Sequence, residues 1–111
     1  MNYTSLILKY FSAFSIKNIE IISELFSEDI VLIDWNIHEI GKENVIKANR
    51  DIFNSVEEIK VIPIMFYSNS ETSFAVQIEI QINKGQIIRV IDLIEFDINS
   101  KIKKIVAYIN Q

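Results

Sequence analysis

The chain has 111 residues, half of them hydrophobic, and a formal net charge of −4 at pH 7. A chain of this length is expected to form one domain, residues 1–111, and to bury about 65% of its unfolded surface. It has no cysteine and one histidine, which excludes a disulfide framework and a thiolate nucleophile and argues against an all-protein metal site. We therefore expect neither a metal nor a cofactor.

The basic residues are scattered, and their only cluster is Lys101, Lys103 and Lys104. Nucleic-acid binding needs a coherent basic face, so no nucleic-acid partner is expected. The first residues, MNYTSLILKYFSAF, lack a basic leader, and Lys9 interrupts their apolar run. This pattern is neither a secretory signal nor a membrane span. The expected localisation is the cytoplasm, with no membrane partner.

Two stretches near the start of the chain carry apolar residues at helical spacing. Residues 3–14 predict a first amphipathic helix. A second, shorter helix is expected to end near the acidic pair Glu28 and Asp29. The apolar positions of the two helices are Tyr3, Leu6, Ile7, Tyr10, Phe11, Phe14, then Ile19, Ile22, Leu25 and Phe26.

A strand and a third helix follow. The segment DIVLIDW, residues 29–35, has a continuous apolar run that is too short for a buried helix, so it predicts a strand. After Gly41, residues 42–54 carry a third helical stripe. Its members are Val45, Ile46, Ala48, Asn49, Ile52 and Phe53.

The second half of the chain changes to strand periodicity. Residues 73–83 alternate between apolar and polar side chains, which is typical of an antiparallel strand. Long strands are also expected before it, where Pro63 suggests a bulge or an edge, and after it at residues 87–96 and 102–109. Three helices and a run of long strands predict an α+β fold with helices packed on one face of a sheet.

Asp92 interrupts the apolar face of the strand IIRVIDLIEF, between Val90 and Ile94. An ionised carboxylate would be costly there. Burial can raise the pKa of such an acid by up to about 5, so Asp92 is expected to be protonated and able to donate a hydrogen bond. Alternatively, Asp92 is bonded to a structural partner such as Tyr108 or Arg89, or faces a water-filled cavity.

Three segments give the chain a family resemblance: YFSAFSIKNIEIISELFSEDIVLIDW, GKENVI and VIDLIEFDINSKI. Together they resemble SnoaL-like and ketosteroid isomerase-like proteins of the nuclear transport factor 2-like (NTF2-like) superfamily. The resemblance implies a cone-shaped NTF2-like, or cystatin-like, fold. In that fold three N-terminal helices pack on a curved mixed, mostly antiparallel sheet.

The resemblance also implies roles for three residues. Tyr10 and Asp92 match the two residues that hold the developing oxyanion in ketosteroid isomerases, and Asp34 matches the aspartate that shuttles the proton. The implied reaction is proton abstraction next to a carbonyl, and it needs no cofactor. Each residue also has a structural interpretation: Tyr10 as a core aromatic, Asp34 as a strand end, and Asp92 as described above.

His38 provides a competing hypothesis. In SnoaL-like cyclases and related dehydratases a histidine and an aspartate do the acid and base work, which would pair His38 with Asp34. On an extended strand these residues lie roughly 13 Å apart, so only a hairpin bend could bring them together. An exposed His38 is the simpler expectation.

The expected ligand is small and apolar. Trp35 stands where the isomerases carry a proline, and the segment after Asp34 is shorter than theirs, so a ligand smaller than a steroid is expected. Besides the catalytic set Asp34, Tyr10 and Asp92, the expected ligand-binding residues are Trp35, His38, Phe14, Phe53 and Val90. The alternatives to an isomerase are a non-catalytic ligand-binding or interaction module of the same fold, and a cyclase or dehydratase that uses His38.

A homodimer is expected from the other face of the same strand. Ile87, Ile91 and Leu93 lie there beside Arg89. A sheet that buries one face on helices and leaves the other partly apolar commonly pairs with a second copy.

Overall fold

The computed structural model describes residues 2–110, which form three helices and six strands. It confirms the expected α+β class. The third helix does not follow the other two directly, because a short hairpin intervenes. The elements are α1 Tyr3–Ser15, α2 Ile19–Leu25, β1 Phe26–Ile33, β2 His38–Ile40, α3 Lys42–Ser55, β3 Ile59–Ser68, β4 Ser73–Ile82, β5 Gln86–Phe96 and β6 Ile102–Asn110.

All six strands form one sheet in the order β2-β1-β6-β5-β4-β3. β1 and β6 are parallel, and the other neighbouring pairs are antiparallel. The sheet is therefore mixed. The parallel pair matters for the site, since it brings the end of β1 next to the middle of β6 and, one strand further, to β5.

Two features differ from the sequence-based expectation, one boundary and one additional strand. The second helix ends at Leu25, and Phe26 already belongs to β1, because it pairs with Ile102 of β6. The strand β2 was not expected. It is three residues long and pairs with β1 between Val31 and Ile33, so it exists only through that pairing.

The prediction for Pro63 is confirmed. β3 lies at the edge of the sheet, and its register against β4 shifts between Pro63 and Met65. Proline has no N–H to donate to a ladder, so a bulged edge strand accommodates it.

One face of the sheet carries the core. Its residues on β4 and β5, such as Val76, Ile78 and Ile94, are almost fully buried and belong to the same core cluster as Ile7 and Phe11 of α1. None of the helices in residues 2–110 is long and apolar enough to cross a membrane.

Lys17 joins the C-terminal ends of α1 and α3. Its backbone has a φ of 58°, which directs the chain out of α1. Its ammonium Nζ donates hydrogen bonds to the carbonyl oxygens of Phe53, Val56 and Glu57, at 2.9, 2.7 and 3.1 Å. The last carbonyls of a helix have no partner within the helix, and a cation placed there also suits the helix dipole.

Replacing Lys17 tests whether its hydrogen bonds stabilise the contact between the ends of α1 and α3. Lys17→Met keeps the aliphatic stem and removes the charge, and it should lower the free energy of unfolding by about 2 kcal/mol in urea titrations. Lys47→Met is the matched control, since Lys47 is exposed and, within residues 2–110, makes only an ion pair with Asp51. We expect the control to lower the free energy of unfolding by less than about 0.5 kcal/mol. Equal losses in the two variants would contradict the role given to Lys17.

Candidate active site

Asp92 lies on the helix-covered face of the sheet, in the middle of β5. It is 7% exposed and stands between Val76 of β4 and Ala107 of β6 in the strand register. Arg89 and Tyr108 are exposed, and the alternation along β5 and β6 puts them on the opposite face. Neither residue is the structural partner considered for Asp92 from the sequence.

Burial and, as the smaller cause, the negative charge of Asp34 together raise the pKa of the Asp92 carboxyl from 3.8 to about 7. Desolvation disfavours the charged form because the carboxylate loses water and gains apolar neighbours. Near neutral pH a large share of Asp92 is therefore protonated, with an O–H to donate.

Tyr10 lies on the buried face of α1 and is 5% exposed. Its ring packs against Phe11, Phe14 and Phe26, with centroids 5.6, 5.9 and 5.8 Å away. Burial raises the pKa of the phenol, and the charges of Asp92 and Asp34 raise it further. The hydroxyl is therefore a neutral donor throughout the physiological range.

Asp34 directly follows β1 and is held by a tight turn. Its N–H donates to the carbonyl of Ile37 at 2.8 Å. Its carboxylate Oδ1 accepts from the N–H groups of Asn36 and Ile37, both at 2.7 Å. Aspartate commonly stabilises turns in this way. Only Oδ1 is used in these bonds, so Oδ2 is available to take a proton.

The strand register explains why Asp34 and Asp92 come together. Ile33 pairs with Val106 in the parallel ladder, so Asp34 comes level with Ala107, which is the residue opposite Asp92. Neighbouring strands lie about 4.8 Å apart, which puts the two aspartate backbones roughly 10 Å apart on the same face. Their side chains can then approach a shared ligand from two sides.

Tyr10, Asp34 and Asp92 all line one cavity of about 200 Å³. Most of its wall is apolar. Trp35, Phe14 and Val90, which the sequence analysis placed in a ligand site, also line it. The remaining lining residues are Phe11, Leu32, Asn36, Ile37, Asn49, Ile52, Ile59, Val61, Ile78, Ile80, Ile82, Ile88, Ile105 and Ala107.

Two of the expected ligand-binding residues are not in the cavity wall. Phe53 is buried, but its ring packs edge-on against Phe14, with centroids 4.7 Å apart, so it lies behind the wall. His38 is exposed in β2 and pairs with Ile33. The hairpin bend after Asp34 exists, but His38 is not among the residues that line the cavity.

Asn49 was missed as a candidate. It is 1% exposed, lines the cavity, and its amide Nδ2 has no hydrogen-bond partner among the described residues. The signal was present in the sequence, since an amide stands in the apolar stripe of the third helix. It is the same kind of anomaly that singled out Asp92.

The described residues, 2–110, contain no group of three or more His, Asp or Glu side chains that could hold a metal ion.

The sequence matches no protein-family model and no curated protein. The structure, in contrast, is similar to solved structures over almost its whole length. An NTF2-like protein of unknown function from Cytophaga hutchinsonii superposes with a TM-score of 0.81 at 15% identity, over 99% of this chain and 91% of that one. The chain therefore has the NTF2-like fold.

Two other similar structures carry functional names. A proposed SnoaL-like polyketide cyclase from Shewanella denitrificans has a TM-score of 0.83 at 17% identity, over 97% of this chain and 90% of that one. A proposed ketosteroid isomerase from Kribbella flavida has a TM-score of 0.80 at 13% identity, over 98% of this chain and 78% of that one. At these identities the likeness establishes the fold alone.

The raised pKa of Asp92 predicts a specific dependence of stability on pH. Below pH 3.8 the carboxyl is neutral in both the folded and the unfolded chain. Between pH 3.8 and about 7 the unfolded chain releases the proton and the folded chain keeps it, so this group makes stability fall as pH rises. Above about pH 7 the carboxyl is ionised in both the folded and the unfolded chain, so the stability that came from the retained proton is fully lost.

Asp92→Asn removes this titration and preserves the shape of the side chain. From pH 5 to pH 8 the free energy of unfolding of the wild type should fall by about 3 kcal/mol relative to that of the variant. Urea titrations at several pH values measure it. At pH 3.5 the acid is neutral like the amide, which provides the control. Parallel curves for the two proteins from pH 4 to pH 8 would contradict a buried, neutral Asp92.

Proposed function

We propose that this chain, which has the NTF2-like fold, binds a small apolar carbonyl compound in its cavity and isomerises it by proton transfer. The observation that carries the proposal is the meeting of Tyr10, Asp34 and Asp92 in one mostly apolar cavity. The name of the similar Kribbella flavida structure, a proposed ketosteroid isomerase, agrees with this chemistry.

Each residue has a role that its surroundings suit. Asp34 takes a proton from the carbon between the carbonyl and a β,γ double bond, and the electron pair moves to the carbonyl oxygen to give a dienolate. Tyr10 and Asp92 donate hydrogen bonds to that oxygen as its charge develops. Asp34 then returns the proton to the γ carbon, the double bond moves into conjugation, and the enzyme regains its starting state.

The two aspartates differ because their environments differ. Asp92 lies among apolar strand residues and holds its proton up to about pH 7. Asp34 is more accessible and fixed by backbone N–H groups at the end of β1. A pair of carboxyl groups in such unlike environments divides the work into a donor and a base.

The size of the cavity limits the substrate. An engineered cavity of about 150 Å³ accommodates benzene, so about 200 Å³ is room for one ring with small substituents. Trp35 in the wall further narrows the space next to Asp34. We therefore propose a monocyclic or branched ketone rather than a steroid.

Kinetics with cyclohex-3-en-1-one test the isomerase, since the conjugated product absorbs strongly in the ultraviolet. Asp34→Asn removes the base and should lower kcat by roughly 100- to 10,000-fold. Tyr10→Phe removes one oxyanion donor and should lower it by roughly 100- to 1,000-fold. Both replacements nearly keep the shape of the side chain.

His38→Ala is the control, since His38 lies outside the cavity wall. It should leave turnover unchanged, whereas the cyclase or dehydratase hypothesis expects it to be the damaging substitution. Turnover by Asp34→Asn equal to that of the wild type would rule out the proposed base. Ligand binding by a wild type without any turnover would favour the non-catalytic module instead.

We also propose that the protein works as a cytoplasmic homodimer. The outer face of the sheet presents Ile91 and Leu93 beside Val106 and Tyr108 of the neighbouring strand. Leu93 is 36% and Tyr108 61% exposed. A contiguous apolar area on a sheet face is suited to an isologous contact with a second copy.

Leu93→Asp places a charge in the middle of this face and should convert the dimer to a monomer in sedimentation velocity experiments. Ile98→Asp is the matched control, because Ile98 is 96% exposed in the turn before β6 and should not change the mass. A wild type that sediments as a monomer at all concentrations would contradict the dimer.

A further inference from the structure

The wall of the cavity reaches the protein surface at the turn after β1. Of the residues that line the cavity, Trp35 and Asn36 are exposed, and all the others are buried or half-buried. The wall is also thin at this turn, because Asn36, Ile37 and Ile52 line a second cavity as well, together with exposed residues of β2 and α3. A ligand can therefore approach the cavity from solvent at this turn.

The backbone of this turn is held by Asp34. The N–H of Asp34 donates to the carbonyl oxygen of Ile37 at 2.8 Å, and its Oδ1 accepts from the N–H groups of Asn36 and Ile37, both at 2.7 Å. The pairing of Ile33 with His38 closes the hairpin behind these bonds. A shift of this backbone would displace Asp34, the proposed base. A part that moves here without disturbing the base must therefore be a side chain.

The indole of Trp35 has the position and the freedom for such a movement. It lines the cavity and is 42% exposed, so it lies between the cavity and solvent. Among residues 2–110 its ring packs on no other aromatic ring, whereas that of Tyr10 packs on three. Exposed side chains change rotamer within nanoseconds. A large apolar ring left partly in water also gains from packing on a ligand.

We propose that the indole of Trp35 is a movable cover of the cavity, which turns outward to admit the ligand and then packs on the ligand's ring. Trp35 is then a specificity-determining residue, because a flat, unsaturated ring offers the indole a better packing surface than a puckered one. The substrate class narrows to cyclic enones and their β,γ-unsaturated isomers. This inference rests on the proposed function, since it takes the ligand to be a ring ketone that reacts beside Asp34.

Two ring ketones test the preference for a flat ring. Cyclohex-2-en-1-one and cyclohexanone have the same ring size and carbonyl group, but the enone is flatter. NMR titrations give the affinity ratio of the pair in each variant, and comparing this ratio between variants cancels the difference in carbonyl basicity. The ratio should be roughly 2- to 10-fold higher in the wild type than in Trp35→Leu. Trp35→Phe keeps an aromatic ring and should retain most of the preference.

The contact itself can be observed directly. The chain has one tryptophan, so all indole NMR signals come from Trp35. With saturating cyclohex-2-en-1-one, nuclear Overhauser effects should connect the ligand to the indole ring.

The rates of binding test whether the cover moves. In Trp35→Ala entry no longer waits for the indole to turn, so line-shape analysis should show larger rate constants of both association and dissociation than in the wild type. A lower affinity with an unchanged association rate constant would identify Trp35 as a fixed part of the wall and overturn the movable cover.

Tyr67→Leu is the matched control. Tyr67 is also a large exposed aromatic, with 54% of its surface accessible, but it lies in β3 and is not among the residues that line the cavity. Its replacement should leave the affinity ratio and both rate constants at their wild-type values. A change equal to that in Trp35→Leu would mean that the effect does not arise at the cavity, and would overturn the proposal.

The remaining outcomes separate this inference from the function on which it rests. A bound enone that shows no contact with the indole, and an affinity ratio that Trp35→Leu leaves unchanged, overturn the cover alone if Asp34→Asn still abolishes turnover. Contact with the indole together with turnover that is unaffected by Asp34→Asn supports the cover and contradicts the proposed base. Failure of both ring ketones to bind the wild type contradicts both.

Discussion

A carboxyl group enclosed by apolar strand residues is the constraint on which the rest of the site depends. Asp92 has hydrophobic neighbours along β5 and across both flanking strands, and ionising it there is expensive. The fold accommodates the group by keeping its proton up to about pH 7. That converts a charge that the core cannot hold into a hydrogen-bond donor that a ligand can use.

The sheet topology provides the complementary group. The parallel pairing of β1 with β6 brings Asp34 level with Ala107 and therefore close to Asp92, and the two charges interact enough to raise the pKa of Asp92 further. Tyr10 reaches the same cavity from α1. Burial and the charges of Asp92 and Asp34 raise the pKa of its phenol. Three elements that are distant in the sequence thus bring a phenol and two carboxyl groups to one cavity, and α3 adds the amide of Asn49.

The features that follow local periodicity were predictable from the sequence. Strict alternation marked β4 and β5 and put Asp92 on the inner face, and Pro63 marked the bulged edge. The features that depend on distant pairing were not: Phe26 follows a helical pattern but joins β1 because Ile102 is its partner, and β2 exists only beside β1. Asn49 was overlooked because its position fits the helical spacing of an apolar stripe, although its side chain is a polar amide. Phe53 was expected in the cavity wall, but the contact with Phe14 occupies its ring.

The protonation state of Asp92 is the central claim, and the ¹³C resonance of its carboxyl carbon measures it directly, with Asp92→Asn used for assignment. The account predicts a titration with a pKa of about 7 and a lower pKa in Asp34→Asn because one negative charge is removed. A carboxyl that is already ionised at pH 5 would contradict it.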